Sequence, residues 1–167
     1  MKNKIFDIKI ALKNGAYQSA LALSLTLPDI CSQVWKQKNK TDNKDYIDWC
    51  NTYVNYDEVN IGFGTENATI HGEETYALRC AFLHNGNEDI KSQKAANNTT
   101  ITKLHIVKPN GLDGYGFLYK VNDSTGDVDV TFDVEQICIL LCDAAEKFYN
   151  QYNKPSDFIN RLCSFEL

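Results

Sequence analysis

The chain has no apolar run of the roughly 18–20 residues that a membrane span requires. Its richest stretch, "SALALSLTL" at residues 19–27, is about half that length. A secretory leader is not expected either. Asp7, Lys9 and Lys13 sit too deep for a basic leader start, and "PDICSQ" is a poor cleavage site. These absences point away from the membrane and from secretion, and the expected location is cytoplasmic. The six cysteines, Cys31, Cys50, Cys80, Cys138, Cys142 and Cys163, contain no CxxC pair and are irregularly spaced. In a reducing compartment most of them are expected to be small buried hydrophobes. Positive charge is scarce too. A net charge of −5 and a pI near 5.1 count against long, non-specific nucleic-acid binding, which needs a basic footprint. A local site that handles one phosphate is not excluded. Repeats, linkers and low-complexity tracts are absent. "GFGTENATIHG" is rich in glycine, but it has no lysine and follows no clear strand, so it is not a P-loop.

What is present reads as one domain spanning residues 1–167, with 43% hydrophobic and 23% charged residues, ordinary for a globular protein. Ile5, Ile8 and Leu12 recur at helical spacing over 4–13, and Asn14-Gly15 is a usual helix stop. The next segment alternates leucines at 21, 23, 25 and 27, but the residues between them are Ala, Ser and Thr, and Ile30, Val34 and Trp35 continue at helical spacing. A helix over about 16–26 is expected, with Pro28 either in the first turn of a second helix or kinking one long one. Asp42 or Asn43 caps a third helix carrying Ile47, Cys50, Tyr53 and Val54 on one face. "EETYALRCAFLHNG" follows as a fourth, over 73–84, with Glu73 and Glu74 at its positive end and Gly86 as its stop.

From Thr99 the periodicity changes. "TTITKLHIVK", "YGFLYKV" and "DVDVTFDV" are short β-rich runs separated by the turn signals "PNGLDG" and "NDSTG". Val128, Val130, Phe132 and Val134 alternate onto one face, as do Tyr115, Phe117, Tyr119 and Val121. A three-stranded antiparallel β-meander at about 99–134 is expected, with one face packed. The aromatic stripe Tyr115, Phe117, Tyr119 is read as a core face rather than a base-stacking platform. Helical spacing then returns over 134–152, a helix expected to pack on 73–84, and "SDFINRLCSF" reads as a short final helix. The fold class is mainly α: a helical bundle with an inserted β-meander.

The residues that invite chemistry lie on the fourth helix. The chain has only two arginines and three histidines, and Arg79 and His84 stand five apart on an otherwise apolar segment. At roughly 100° per residue they form the two rims of an arc about 140° wide, with Tyr76, Cys80 and Leu83 between them and Leu78 and Phe82 pointing away.

Arg79-Cys-Ala-Phe-Leu-His84 in a helical bundle resembles the HEPN superfamily (higher eukaryotes and prokaryotes nucleotide-binding), whose motif is an arginine, four to six arbitrary residues and a histidine. The trailing "HNG" looks similar to the family as well. The resemblance covers roughly 4–90 and 134–165, mostly as architecture. It implies a HEPN-like bundle and, in catalytic members, a metal-independent endoribonuclease, often in bacterial defence or a toxin-like system. It also implies a homodimer in which Arg79 and His84 of both copies face a shared cleft. One departure is Cys80, where many active members carry a polar residue after the arginine.

The chemistry suits the residue types. A histidine near neutral pKa moves protons, and an arginine grips a phosphate and offsets transition-state charge. Asn85 and Asn87 are candidates for orienting substrate or histidine, and Lys91 and Lys94 for further phosphate contacts. The same residues admit other readings. Arg79 pairs with an acid from a neighbouring helix while His84 caps the helix end; or the bundle is a non-catalytic adaptor binding a protein partner or a nucleotide. A buried Arg79 ion pair favours the adaptor. An open positive surface around Arg79, Lys91 and Lys94 favours the enzyme. No cofactor is expected. No metal is expected either: Cys80 and His84 could face Cys138 and Cys142, but no ligand pair has the usual knuckle spacing. His71 is read as a loop residue near the helix start, and His105 as a solvent-facing strand residue.

Overall fold

The computed structural model describes residues 1–56, 70–87, 89–90, 101–109, 117–122 and 124–152; for 117–119 only the backbone is described. The final helix expected from Ser156, and most of the glycine-rich connector, lie outside the described residues. Six α-helices and three strands occur among them.

Helix α1, Lys2–Lys13, buries Ile5 and Ile8. It ends where Asn14 Nδ2 donates to the Ile10 carbonyl at 2.8 Å and Gly15 turns left-handed at φ +73°. Helix α2, Tyr17–Ser24, places Ala20 and Leu21 in the core. The alternating leucines were ambiguous because apolar side chains at 21, 25 and 27 enter the core while Leu23 is only partly covered. Helix α3, Leu27–Lys36, carries Pro28 in its first turn, where a missing N–H costs nothing. Helix α4, Asn43–Tyr53, opens on a capping box: Asp42 Oδ1 accepts from the Asp45 amide at 2.9 Å, and Asp45 Oδ2 accepts from the Asp42 amide at 3.3 Å.

Helix α5, Gly72–Cys80, is seated on α4. The Gly72 amide donates to Asn51 Oδ1 at 2.7 Å, and a Cβ built on Gly72 would meet the Ile47 carbonyl oxygen at 2.6 Å. Glycine is required there because two helix backbones come too close for any side chain. The helix does not continue in α geometry. Ala81–Asn85 form a π-helical turn that Gly86 closes at φ +65°.

Helix α6, Val134–Gln151, is the hub, in contact with α1, α2, α3 and α4. The expectation that 73–84 packs on 134–152 needs correction: α5 lies chiefly against α4, which itself contacts α6. Helical periodicity shows which face is buried but not which neighbour covers it. An aromatic cluster joins α3, α4 and α6. Tyr53 lies edge-on to Phe148 at 4.9 Å and to Trp35 at 5.7 Å, and Trp49 stacks on Tyr53 at 5.5 Å. Among the described residues four cysteines are buried in the core, and burial pushes the Cys138 thiol up to about 11 and Cys142 to about 12, so both are inert neutral side chains.

The sheet holds β1 (Ile101–Val107), β2 (Phe117–Val121) and β3 (Val128–Asp133) in the order β1-β3-β2. β2 and β3 pair antiparallel as expected, but β1 and β3 are parallel, so the sheet is mixed and not a meander. The strands still alternate in direction along the chain. The difference is that β3, not β2, enters beside β1. Alternation fixes which face of a strand is buried, not its neighbour. The burial explains the order: Val128, Val130 and Phe132 of β3 are covered, whereas Lys120 and Val121 of β2 are exposed at an edge. β3 runs directly into α6, where Asp133 Oδ1 accepts from the Glu135 amide at 2.8 Å.

Candidate functional site

Arg79 occupies the last turn of α5, and three helices hold it. From the first turn of α3, Asp29 Oδ2 accepts from Arg79 Nε at 2.8 Å, with a quarter or less of either side chain exposed. Within α5, the guanidinium carbon lies 5.8 Å from the Tyr76 ring centroid, a cation–π contact. Tyr76 in turn meets Tyr46 of α4 edge-on at 5.1 Å, and the Tyr46 hydroxyl donates to the Leu25 carbonyl at 3.1 Å. Arg79 therefore sits on a braced support.

The π-turn then decides where His84 goes. On an ideal α-helix residues 79 and 84 diverge by roughly 140°. The π-turn from Ala81 winds less per residue, so His84 swings part of the way back toward Arg79. Arg79 Nη1 and His84 Nε2 lie 3.3 Å apart. A guanidinium only donates, so a hydrogen bond between the two needs the tautomer in which Nε2 accepts. His84 is exposed, and its neighbour Cys80 has its sulfur 4.0 Å from Arg79 Nη1. The result is an imidazole nitrogen beside an arginine held by an ion pair, at an exposed turn.

The ion pair has its own electrostatics. Burial pushes the Asp29 carboxyl up from its usual range, more than the Arg79 guanidinium beside it pulls it down. For Arg79, burial opposes the charge, and Asp29 together with Cys80 more than restores it.

The other expected site residues divide. Asn85 is exposed on the π-turn. Asn87 Oδ1 accepts from the Asp89 amide at 3.2 Å, and the Asn87 amide donates to the Ala81 carbonyl at 3.2 Å, so its first task is to shape the exit from the turn. Lys91 and Lys94 lie outside the described residues. His71 stands just before α5, where its amide donates to Glu74 Oε2 at 2.8 Å. His105 Nε2 is 3.8 Å from Asp129 Oδ2 on the sheet. Neither histidine joins Arg79 and His84 in the contacts described. Among the described residues no three His, Cys, Asp or Glu side chains converge to hold a metal.

Beside the turn lies a cavity of about 500 Å³. Tyr17, Leu21, Phe82 and Ile106 line it, with Asn87 and Lys108 among its polar residues. Phe82 lies within the motif, and Asn87 comes three residues after it, so the cavity adjoins the turn by chain connectivity.

Two features escaped the sequence reading. Asp29 follows Pro28 in a first helical turn, where an acid is already explained by the helix dipole. Its pairing with a residue 50 positions away has no local signal. The π-turn has none either, since it differs from α by one residue per turn. No protein-family model matches the chain, and no curated protein or solved structure matches it either.

Proposed function

We propose that the protein is a metal-independent endoribonuclease of HEPN type, acting in the cytoplasm, with a role in bacterial defence or a toxin-like system as the resemblance implies. The observation that supports this reading is the 3.3 Å contact between Arg79 Nη1 and His84 Nε2 at an exposed π-turn. An RNA phosphate entering the turn takes the Nη1 donor for itself, which frees the Nε2 lone pair. Nε2 then removes the proton from the 2′-hydroxyl. The 2′-oxygen attacks phosphorus, the bond to the 5′-oxygen breaks, and the imidazolium returns the proton to that leaving oxygen. The products are a 2′,3′-cyclic phosphate and a 5′-hydroxyl, and one histidine serves as base and then acid. Arg79 offsets the charge that builds on the phosphoryl oxygens.

One observation favours a second reading, a non-catalytic HEPN-like adaptor that binds a protein partner or a nucleotide. The Asp29 carboxylate already neutralises Arg79 in a partly buried ion pair. The two readings separate in one experiment. Purified protein is incubated with an end-labelled RNA in excess chelator. Cleavage with cyclic-phosphate ends, lost in His84→Ala while the helical circular dichroism is kept, supports the enzyme. No cleavage by the wild type, with an unfolded Arg79→Ala, supports the adaptor.

A further inference from the structure

We propose that the cavity beside the π-turn is a binding site for a small aromatic carboxylate. Three stretches distant in sequence build it. Helix α2 contributes Tyr17 and Leu21, the π-turn and its exit contribute Phe82 and Asn87, and the end of β1 contributes Ile106 and Lys108. A volume of about 500 Å³ is in the range of small-molecule sites, and so is the make-up of the walls, apolar surface with a few polar groups.

The body of the ligand follows from the walls. Leu21 and Ile106 offer aliphatic surface, and Tyr17 and Phe82 offer aromatic rings. Both rings are half-buried against the core, yet among the described residues neither is engaged by another ring. The rings of Trp35, Trp49, Tyr53 and Phe148, in contrast, all meet a neighbour. A flat aromatic body entering the cavity supplies the stacked or edge-on contacts that Tyr17 and Phe82 lack.

The head follows from the charge. Lys108 is the one charged side chain among the described residues that line the cavity. It is exposed and has no ion pair among the described residues. Asn87 adds a donor: its Oδ1 already accepts from the Asp89 amide at 3.2 Å, which leaves Nδ2 for a ligand. The acid nearest in sequence to a lining residue is Asp133, and its Oδ1 is engaged by the Glu135 amide at 2.8 Å. A carboxylate can use what remains, one oxygen on Lys108 and the other on Asn87. A cation would be repelled, and a neutral molecule would gain nothing from Lys108. The inference is independent of the ribonuclease reading, because neither Arg79 nor His84 lines the cavity. Phe82 and Asn87 flank His84 in the chain, so occupancy should nonetheless be felt at the turn.

The test uses three molecules with one aromatic body: naphthylacetate, the neutral naphthylethanol and the cationic naphthylethylamine. Each is titrated into the isotopically labelled full chain while the amide resonances are followed. The carboxylate should bind with saturable shifts centred on Phe82, Gly86, Asn87 and Ile106. It should bind about fivefold more tightly than the alcohol, the effect of one partly exposed ion pair, and the amine should bind more weakly still. Lys108→Gln should remove the carboxylate's advantage and leave the alcohol unchanged, and Lys108→Glu should pass the advantage to the amine. Both variants alter an exposed side chain, so circular dichroism should be unchanged. Tyr17→Leu keeps apolar bulk but loses the ring, and it should weaken all three molecules alike. The inference is overturned if the carboxylate does not bind at millimolar concentration, if its shifts centre elsewhere, or if all three molecules bind the wild type equally. A carboxylate preference that survives Lys108→Gln, or binding that is untouched by Tyr17→Leu, overturns it as well.

Discussion

The turn that ends α5 and the groove between α1 and α6 both carry opposite charges at the surface, and they treat them in opposite ways. At the turn, the charges are paired within the chain. Asp29 meets Arg79 at 2.8 Å, Tyr76 lies under the guanidinium, and Tyr46 braces Tyr76. In the groove, Lys9, Lys13, Glu135 and Asp143 have no ion-pair partner among the described residues, and Ile139 between them is exposed. A pair already satisfied gains little by association but holds a side chain in a fixed orientation, as an active site needs. Unsatisfied charges gain by association and orient nothing until a partner arrives. The same ingredients thus suit chemistry in one place and recognition in the other.

The largest effect that tests this contrast is on rate. If the fixed pair is the working site, His84→Ala should lower RNA cleavage by about 10²-fold or more, because the proton carrier is gone. Arg79→Lys keeps the charge but loses the planar fork that reaches Asp29 and His84 together, so it should also impair cleavage. Lys9→Glu/Lys13→Glu, which alters only the groove, should leave the rate per chain unchanged. A loss of cleavage in the groove variant would break the division of labour.

Next in size is stability. The turn can be rigid only if α5 is anchored, and Gly72 is where α5 meets α4 most closely. Gly72→Ala would gain a little helix propensity. Its Cβ, however, would fall 2.6 Å from the Ile47 carbonyl oxygen, a backbone atom that cannot swing aside. The expected cost is about 1–3 kcal/mol, read as a lower urea midpoint with an unchanged slope. Phe6→Asp, on an open face, should leave that midpoint within about 0.5 kcal/mol of the wild type. Equal losses at both positions would mean that the α1 face is no looser than the α5 seat.

Much of this organisation was legible in the sequence because it is local. Caps, glycine stops and helical spacing located α1, α3, α4 and α6, and alternation located the buried face of β3. What was hidden depends on distant partners. The position of β3 beside β1 is set by how deeply each strand is covered, not by the pattern within a strand. The partner of Arg79 came from a helix 50 residues upstream, disguised as an ordinary first-turn acid. The approach of His84 to Arg79 required a π-turn, and an α wheel drew the two apart. On α1 the spacing of Ile5, Ile8 and Leu12 marked the inward face, and Ile5 and Ile8 are buried while Phe6 and Ile10, off that face, are exposed.

The smallest effect is the most informative about Arg79. Two influences act on Asp29, and they have opposite signs. Burial favours the protonated acid, the Arg79 guanidinium favours the carboxylate, and burial prevails, so the folded-state pKa is raised. For an acid shifted in this direction the folded state binds the proton more tightly than the unfolded state. Its contribution to stability is therefore fully present below the unfolded pKa, near 3.9, and is lost as the pH rises through the folded pKa. Asp29→Asn removes the titration while keeping the shape. The stability of the wild type relative to Asp29→Asn should accordingly fall as the pH rises from about 3 through the carboxylate range, measured by urea unfolding at several pH values. A wild type that instead gains on the variant over that range would mean that the ion pair outweighs burial. A falling curve would mean that burial sets the Asp29 titration and that Arg79 offsets only part of it, while Asp29 still holds Nε and leaves Nη1 for a phosphate.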